Sequence, residues 1–134
     1  MDGSLLYVSR RLATDRDVKD IVAASHVRNA ALNVTGALIA SRNHFAQILE
    51  GPWAGVDELM ISICRDPRHE NVDVLLFEAI EKRRFPDWAL AYSGASEFID
   101  GLIKAVANRR TPLPEPHHLR RLVCAMEEFT RALH

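Results

Sequence analysis

Two polar side chains, Tyr7 and Gln47, lie within short apolar stretches that favour buried β-strands. Side chains alternate between the two faces of a strand, so Tyr7 shares its face with Leu5, and Gln47 shares its face with Leu49. If both faces meet a layer of helices, a phenol hydroxyl and a side-chain amide lie inside a largely apolar sandwich. Each needs a hydrogen-bond partner there, because leaving a buried polar group unpaired costs about 1–3 kcal/mol.

A predicted helix supplies two more polar groups to the same layer. Ser25 and Asn29 are four residues apart and share the inward stripe of this helix with Val18. Four neutral polar groups around an apolar slot suit a flat polar ligand that supplies the missing hydrogen-bond partners. The same groups could instead satisfy one another in a core network, with Tyr7 bonded to Gln47, and the pattern leaves both interpretations open.

A charged segment, residues 65–69, follows the second predicted helix. Its Arg68 and His69 could donate hydrogen bonds to ligand carbonyls or to a polar tail. The alternative is that the cations of this segment only complement the negative end of the helix dipole. The residues alone do not decide between these two roles.

Other chemistries have weaker support in the sequence. The six histidines include no pair at ligand spacing beside a cysteine or carboxylate cluster, so we expect no metal site. We find neither a glycine-rich phosphate loop nor a local Ser-His-Asp motif. The basic run 82–84 is not accompanied by the exposed sheet aromatics on which an RNA-binding sheet stacks bases, so we interpret it as a solvated turn.

The elements that position these residues follow the order β-α-β-β-α-β-β. Thr14 is a good N-cap for the first helix, and Asn33 is a good left-handed terminator. The second helix begins near Trp53 and ends before Pro67, because the residue before a proline avoids the helical region. Strands are predicted at 5–9, 35–41, 44–50, 72–81 and 88–93.

This order predicts an α+β protein with a ferredoxin-like sandwich: a five-stranded mixed sheet with two helices on one face. C-terminal helices at 96–108 and 119–133 are expected to cover the other face. We place the main domain at residues 1–95 and a C-terminal helical cap at 96–134. The proline-rich segment 111–116 is predicted to be an extended linker between the two helices of the cap.

Composition limits the partners. The 134 residues carry 17 Lys and Arg against 18 Asp and Glu, a formal net charge of −1, which argues against nucleic acid or an anionic membrane as the main partner. Two distant cysteines, Cys64 and Cys124, give no disulfide framework, so we expect a reducing, cytoplasmic location. No apolar segment approaches the roughly 20 residues that span a bilayer.

Six segments follow one another along the chain: LYVS (6–9), SHVRN (25–29), VTGAL (34–38), FAQILEG (45–51), RDPRH (65–69) and RFPDW (84–88). Taken together, these motifs resemble the BLUF family of flavin-using blue-light sensors, in the family's order and over about residues 4–94. The remainder is similar to the C-terminal helices of short members without a fused output enzyme.

The resemblance implies a flavin, usually FAD with FMN or riboflavin as alternatives, between the two helices and the sheet. It implies that Tyr7 is the photoactive tyrosine, Gln47 the switching glutamine, and Asn29 the hydrogen-bonding partner of the ring's carbonyl and imide edge. The other implied cofactor contacts are Ser25, Arg28, Asp66, Arg68 and His69 at the polar edge or ribityl side, and Ile21 and Ile63 against the ring.

The function implied is that of a non-catalytic photoreceptor. Tyr7 would give an electron and then a proton, and Gln47 would exchange its donor and acceptor, which shifts the flavin band to the red. Strand five would carry the change onward, with Trp88 tuning yield or lifetime. Leu90 stands where many members of the family carry methionine, and it offers no sulfur contact, so the coupling to strand five departs from the family pattern.

We expect the signal to pass to a partner protein or to a change in oligomeric state, and we expect a homo-oligomer. The helix at 119–133 either covers the sheet or forms a light-dependent interface. Two rival functions remain at this stage: a light-independent flavin-binding or ferredoxin-like enzyme, and an adaptor that acts only through its C-terminal helices.

Overall fold

The computed structural model describes residues 2–86, 97–108, 112 and 114–132, without the side chains of 97 and 129–132. The predicted strand five, Trp88 and Leu90 lie outside these residues. The strands are β1 (Asp2–Arg11), β2 (Thr35–Ala40), β3 (His44–Pro52) and β4 (His69–Ile80), and the helices are α1 (Asp15–Ala31), α2 (Trp53–Arg65), α3 (Glu97–Ala107) and α4 (Pro116–Ala132).

The four described strands form one sheet in the order β2-β3-β1-β4, and each neighbouring pair is antiparallel. β1 and β3 are therefore the central strands, and their register places Tyr7 opposite Gln47. The fold is α+β, as predicted. A fifth strand, and with it the mixed character of the sheet, stays a prediction because strand five is not among the described residues.

Helices cover both faces of the sheet. Leu5 and Tyr7 of β1 point toward the α2 side, where they pack in one core cluster with Leu59. Leu6 and Val8, the alternate residues of the same strand, pack in the core cluster that α3 and α4 share with the sheet. Strand parity thus separates two layers, and the C-terminal helices cover the face opposite α1 and α2.

The predicted ends of α1 are confirmed. The Thr14 hydroxyl accepts from the Asp17 backbone N–H at 3.1 Å, and the Asp17 carboxylate accepts from the Thr14 N–H at 2.9 Å, which makes a capping box. Asn33, just beyond the helix, has a φ of 56° and is in the left-handed region. The left-handed conformation of Asn33 therefore ends α1 and turns the chain toward β2.

Three elements begin three residues earlier than predicted. β1 extends beyond 5–9 to Asp2–Arg11, because hydrogen bonding to a strand on either side holds polar as well as apolar residues in the sheet. β4 begins at His69 rather than at 72 for the same reason, since His69 pairs with Arg11. α4 begins at Pro116, inside the predicted linker, because a proline at the first helical position has no N–H to leave unpaired.

The interpretation of the basic run 82–84 as a solvated turn was wrong for Arg83. Its guanidinium donates to the Asp2 carboxylate at 2.7 Å, to the Asn33 carbonyl at 3.0 Å and to the Thr35 hydroxyl at 3.2 Å, and the side chain is only 14% exposed. The fixed fork of five donors allows one side chain to serve several partners at once. Arg83 therefore fastens the end of β4 to β1 and to the α1–β2 connection.

Candidate functional site

A cavity lies between α1, α2 and the side of the sheet that these helices cover. It holds about 550 Å³ of space, part of it open to solvent. The lining residues are Tyr7, Ile21, Ala24, Ser25, Arg28, Leu38, Phe45, Gln47, Ser62, Ile63, Asp66, Arg68 and His69.

Tyr7 and Gln47 are joined by a buried hydrogen bond in the sheet wall of this cavity. The Tyr7 hydroxyl donates to Gln47 Oε1 at 2.5 Å, and the tyrosine is 3% exposed. Burial, reinforced by the nearby Cys64 and Asp66, raises the pKa of Tyr7 far above its usual value, so the phenol keeps its proton at neutral pH. Because Oε1 accepts from Tyr7, the Gln47 amide N–H₂ is the group left to donate to a ligand.

The two polar residues of α1 take different positions. Ser25 is buried and lines the cavity. Asn29, one helical turn further along, is 1% exposed and is not among the lining residues. The backbone carbonyl of Asn29 accepts from the backbone N–H of Val34 at 2.9 Å, where the chain leaves the helix. Nine of the ten residues predicted to contact a cofactor therefore line the cavity, and Asn29 is the tenth.

A hydrogen bond across the mouth of the cavity joins the two helices. Arg28 Nη1 on α1 donates to the Ser62 hydroxyl on α2 at 2.9 Å, and both side chains are exposed. Ile21 and Ile63, from the same two helices, present aliphatic surface to the cavity. The site thus combines aliphatic surface with the polar groups of Tyr7, Gln47 and Ser25, and it has a cation at its entrance.

Asp66 and Arg68 form a close ion pair beside the entrance. Arg68 Nε and Nη2 contact the two carboxylate oxygens, the shortest distance being 2.6 Å from Nη2 to Oδ2. The hydrogen bonds from Arg68 hold the pKa of Asp66 below its usual value. Since the pair uses Nε and Nη2, it leaves Nη1 of Arg68 to donate to a bound polar group.

Both ring nitrogens of His69 are engaged by the protein. Nε2 lies 2.6 Å from the Ile63 carbonyl, which can only accept, so Nε2 carries a proton. Nδ1 lies 2.8 Å from the Ser9 hydroxyl. His69 therefore links Ile63, in the last turn of α2, to Ser9 of β1.

Four lining residues were not among the predicted contacts. Leu38 lies opposite Gln47 in the β2–β3 register, and Phe45 is two residues from Gln47 on the same strand face. Strand parity, which identified Gln47, could have found both. Ala24 and Ser62 adjoin the predicted Ser25 and Ile63, and their place in the wall depends on the position of each helix on the sheet, which the sequence pattern leaves undetermined.

Two features are absent from the described part of the chain. It contains no group of three or more His, Cys, Asp or Glu residues arranged to hold a metal ion. Within the same residues, no helix has both the length and the apolar character needed to cross a bilayer.

Comparison with known proteins identifies the family. A model described as sensors of blue light using FAD matches residues 3–91, well over half of the chain. The chain belongs to the BLUF family.

Two curated BLUF relatives are much longer than this chain. The blue light- and temperature-regulated antirepressor BluF of Escherichia coli (strain K12) is 39% identical over 70 residues, which are 52% of this chain and 17% of that protein. The photoactivated adenylate cyclase subunit beta of Euglena longa is 34% identical over 90 residues, 65% of this chain and 10% of that protein. The chain thus matches only a small part of each relative.

Two solved BLUF structures match nearly the whole chain. The dark state of BlrB, described as a BLUF protein, has a TM-score of 0.74 and 31% sequence identity, and the match covers 99% of this chain and 97% of BlrB. The ground state of BlsA has a TM-score of 0.77 and 25% identity, with 95% of this chain and 88% of BlsA covered. The arrangement of sheet and helices is therefore similar to that of BLUF structures.

Proposed function

We propose that this BLUF chain senses blue light through FAD bound in the cavity between α1, α2 and the sheet, with Tyr7 and Gln47 as its photochemical pair. The observation that carries the proposal is the buried hydrogen bond from the Tyr7 hydroxyl to Gln47 Oε1 in the cavity wall. It joins an oxidisable side chain to a side chain that can change its hydrogen-bonding pattern, in a wall that faces the cavity.

The lining suits a flavin ring. Aliphatic side chains such as Ile21 and Ile63 match the faces of the ring. Neutral polar groups such as the Ser25 hydroxyl and the Gln47 amide match its carbonyl and imide edge. Arg68 at the entrance has a donor left for the phosphate or ribityl part. We propose Asn29 as a second contact of the ring edge, which requires its side chain to turn into the cavity when the ring is present.

The chemistry depends on the proton that Tyr7 retains in the dark. When bound, a flavin excited by blue light is a strong electron acceptor. Tyr7 is buried and neutral, and oxidation would make its phenol strongly acidic. Gln47 Oε1, 2.5 Å from the hydroxyl oxygen, is positioned to receive the proton without any large movement.

Gln47 can retain the change after the electron has returned. A side-chain amide carries a donor and an acceptor, and rotation or tautomerisation exchanges them. With the acceptor turned away from Tyr7, the hydrogen bond that Gln47 offers toward the cavity also changes. We propose that this altered bond produces a reversible red shift of the flavin band and that the signal passes to a partner protein or a change in oligomeric state.

The test uses the purified chain supplied with FAD. We expect a yellow protein whose flavin band shifts to the red under blue light and returns in the dark. Tyr7→Phe and Gln47→Leu should retain flavin and lose the shift. Tyr92→Phe, which alters the other tyrosine of the chain, is the matched control and should keep it. A protein that does not take up flavin, or a normal shift in Tyr7→Phe, would refute the assignment.

The flavin content and light response of the purified chain also distinguish the sensor from the two rival functions, an enzyme and an adaptor. Light-independent turnover lost in Ser25→Ala would indicate a flavin-using enzyme, and absence of flavin would indicate an adaptor. The neutral pair in the wall supports a sensor, since neither Tyr7 nor Gln47 is an activated base. We further propose that the flavin is FAD rather than FMN or riboflavin, which extraction of the cofactor would test. We also propose a cytoplasmic location, tested by cell fractionation, and a homo-oligomeric state, tested by light scattering.

A further inference from the structure

A buried carboxylate, Glu50, lies three residues beyond Gln47 on β3. Since side chains alternate along a strand, Gln47 faces the cavity and Glu50 faces the side that α3 and α4 cover. Glu50 is fully buried, with 0% of its surface exposed. A carboxylate in such a place is costly unless hydrogen bonds compensate for the lost water, so its contacts carry information about its role.

One oxygen of Glu50 holds the chain that follows β4. Oε1 accepts from the backbone N–H of Arg84 at 2.7 Å and from that of Phe85 at 3.0 Å. The Phe85 side chain is buried in the core cluster on the α3 and α4 side. Glu50 therefore fixes the position of this segment relative to the strand that carries Gln47.

The other oxygen of Glu50 has no hydrogen-bond partner among the described residues, and neither has the buried hydroxyl of Ser4. Ser4 lies directly opposite Glu50 in the β1–β3 register, so the two side chains share one face of the sheet. Cβ atoms of directly opposed residues are about 4.5–5.5 Å apart, which is close enough for a hydroxyl to reach a carboxylate. Glu50 thus has a second partner within reach that it does not use in this structure.

We propose that Glu50 is a positioning residue that passes the change at Gln47 to the Arg84–Phe85 segment. The inference rests on the proposed function, because it needs Gln47 to switch. A shift of β3 that follows this switch moves the carboxylate on the opposite face. The carboxylate then loosens its hold on the two backbone N–H groups and takes up the Ser4 hydroxyl instead.

Two measurements on the FAD-loaded chain test this proposal. In hydrogen–deuterium exchange, the amides of Arg84 and Phe85 should be protected in the dark and less protected in the light. In Glu50→Leu they should be unprotected in both. In the light-minus-dark infrared spectrum, a carboxylate stretching change should vanish in Glu50→Gln. It should persist in Glu58→Gln, the control at an exposed carboxylate of α2.

The photocycle provides the functional readout. Glu50→Gln should keep its flavin and its red shift, because Tyr7 and Gln47 are untouched and an amide oxygen still accepts from both N–H groups. Glu50→Leu should change the rate of dark recovery by about tenfold, which corresponds to about 1.4 kcal/mol. Ser4→Ala should alter the recovery rate in the same assay, since the lit state loses its partner.

Two results would overturn the inference and leave the proposed function intact. One is a wild-type chain that shifts reversibly without a Glu50 carboxylate band or a change in exchange at Arg84 and Phe85. The other is a Glu50→Leu variant that retains flavin and recovers at the wild-type rate. A wild-type chain without a red shift would remove the proposed function, and this inference with it.

Discussion

Removing the charge of Asp100 is expected to weaken the attachment of the C-terminal helices to the sheet. Asp100 is a buried residue of α3, and its carboxylate accepts from the Ser41 hydroxyl and lies 3.1 Å from His44 Nδ1. Ser41 and His44 flank the tight turn between β2 and β3. Lys104, one turn further along α3, contributes an ammonium group 3.0 Å from the other oxygen. The perturbation is Asp100→Asn, which keeps the shape and removes the charge.

The magnitude follows from these three contacts. A hydrogen bond to a charged group contributes about 1.5–3 kcal/mol, and an amide oxygen at this position retains part of that for one of the two donors on the turn. The Lys104 side chain is 51% exposed, so its ion pair contributes at most about 1 kcal/mol. We therefore expect a loss of about 2–3 kcal/mol in the free energy of unfolding, or roughly 8–12 °C in Tm for a chain of this size.

The direction of the pKa shift of Asp100 determines the pH range over which its charge stabilises the fold. Burial alone would raise the pKa of Asp100, but the hydrogen bonds from Ser41, His44 and Lys104 outweigh it and hold the pKa well below its usual value. A carboxyl group with a lowered pKa in the folded state stabilises the fold above its unfolded pKa of about 3.9 and loses this contribution as the pH falls below it. The Tm difference between wild type and Asp100→Asn should therefore be full above about pH 5 and shrink toward pH 3.

The assay is thermal unfolding followed by circular dichroism at several pH values. Asp57→Asn, at an exposed carboxylate of α2, is the matched control and should leave Tm nearly unchanged at each pH. A variant as stable as wild type at pH 7 would refute the attachment. A Tm difference that stays constant from pH 7 to pH 3 would show that the charge of Asp100 is not its cause.

Two further predictions concern arginines. Arg83→Ala removes the contacts with Asp2 and two other partners and should lower the free energy of unfolding in urea by about 1–3 kcal/mol, while Lys82→Ala, at the exposed neighbour, should have little effect. Equal effects of the two substitutions would contradict the fastening role of Arg83. Arg68→Ala should weaken FAD retention, seen as flavin lost on dialysis, without abolishing the red shift of the bound fraction, whereas unchanged retention would show that Arg68 only pairs with Asp66.

Local rules predicted the parts of the fold and site that depend on one element at a time. Alternation along a strand placed Tyr7 and Gln47 on one face, and capping chemistry fixed the ends of α1 at Thr14 and Asn33. These features depend on residues within one strand or one turn. The hydrogen bond between Tyr7 and Gln47 was one of two interpretations that the pattern left open, and deciding it required the register of β1 against β3.

Features that depend on several elements could not be predicted from the sequence. Arg83 is in a basic run typical of a solvated turn, and its three partners come from parts of the chain far away in sequence. Asn29 was placed correctly on the inward stripe of α1, yet its distance from the cavity depends on where the helix crosses the sheet. Glu50 had a usable signal, a charged residue in an apolar strand, but its partners could not be identified before the path of the chain after β4 was known.

The central strand β3 presents its cavity-facing and cap-facing residues in alternation. In the proposed mechanism, the photochemical pair and the buried layer under α3 and α4 are therefore separated only by the thickness of one backbone. Because the two sets of side chains lie on opposite faces of β3, a residue of one set can be substituted without replacing any residue of the other set. In the mechanism proposed above, substitutions at Glu50 should alter the coupling to the segment after β4, and substitutions beside Gln47 should alter the response to light.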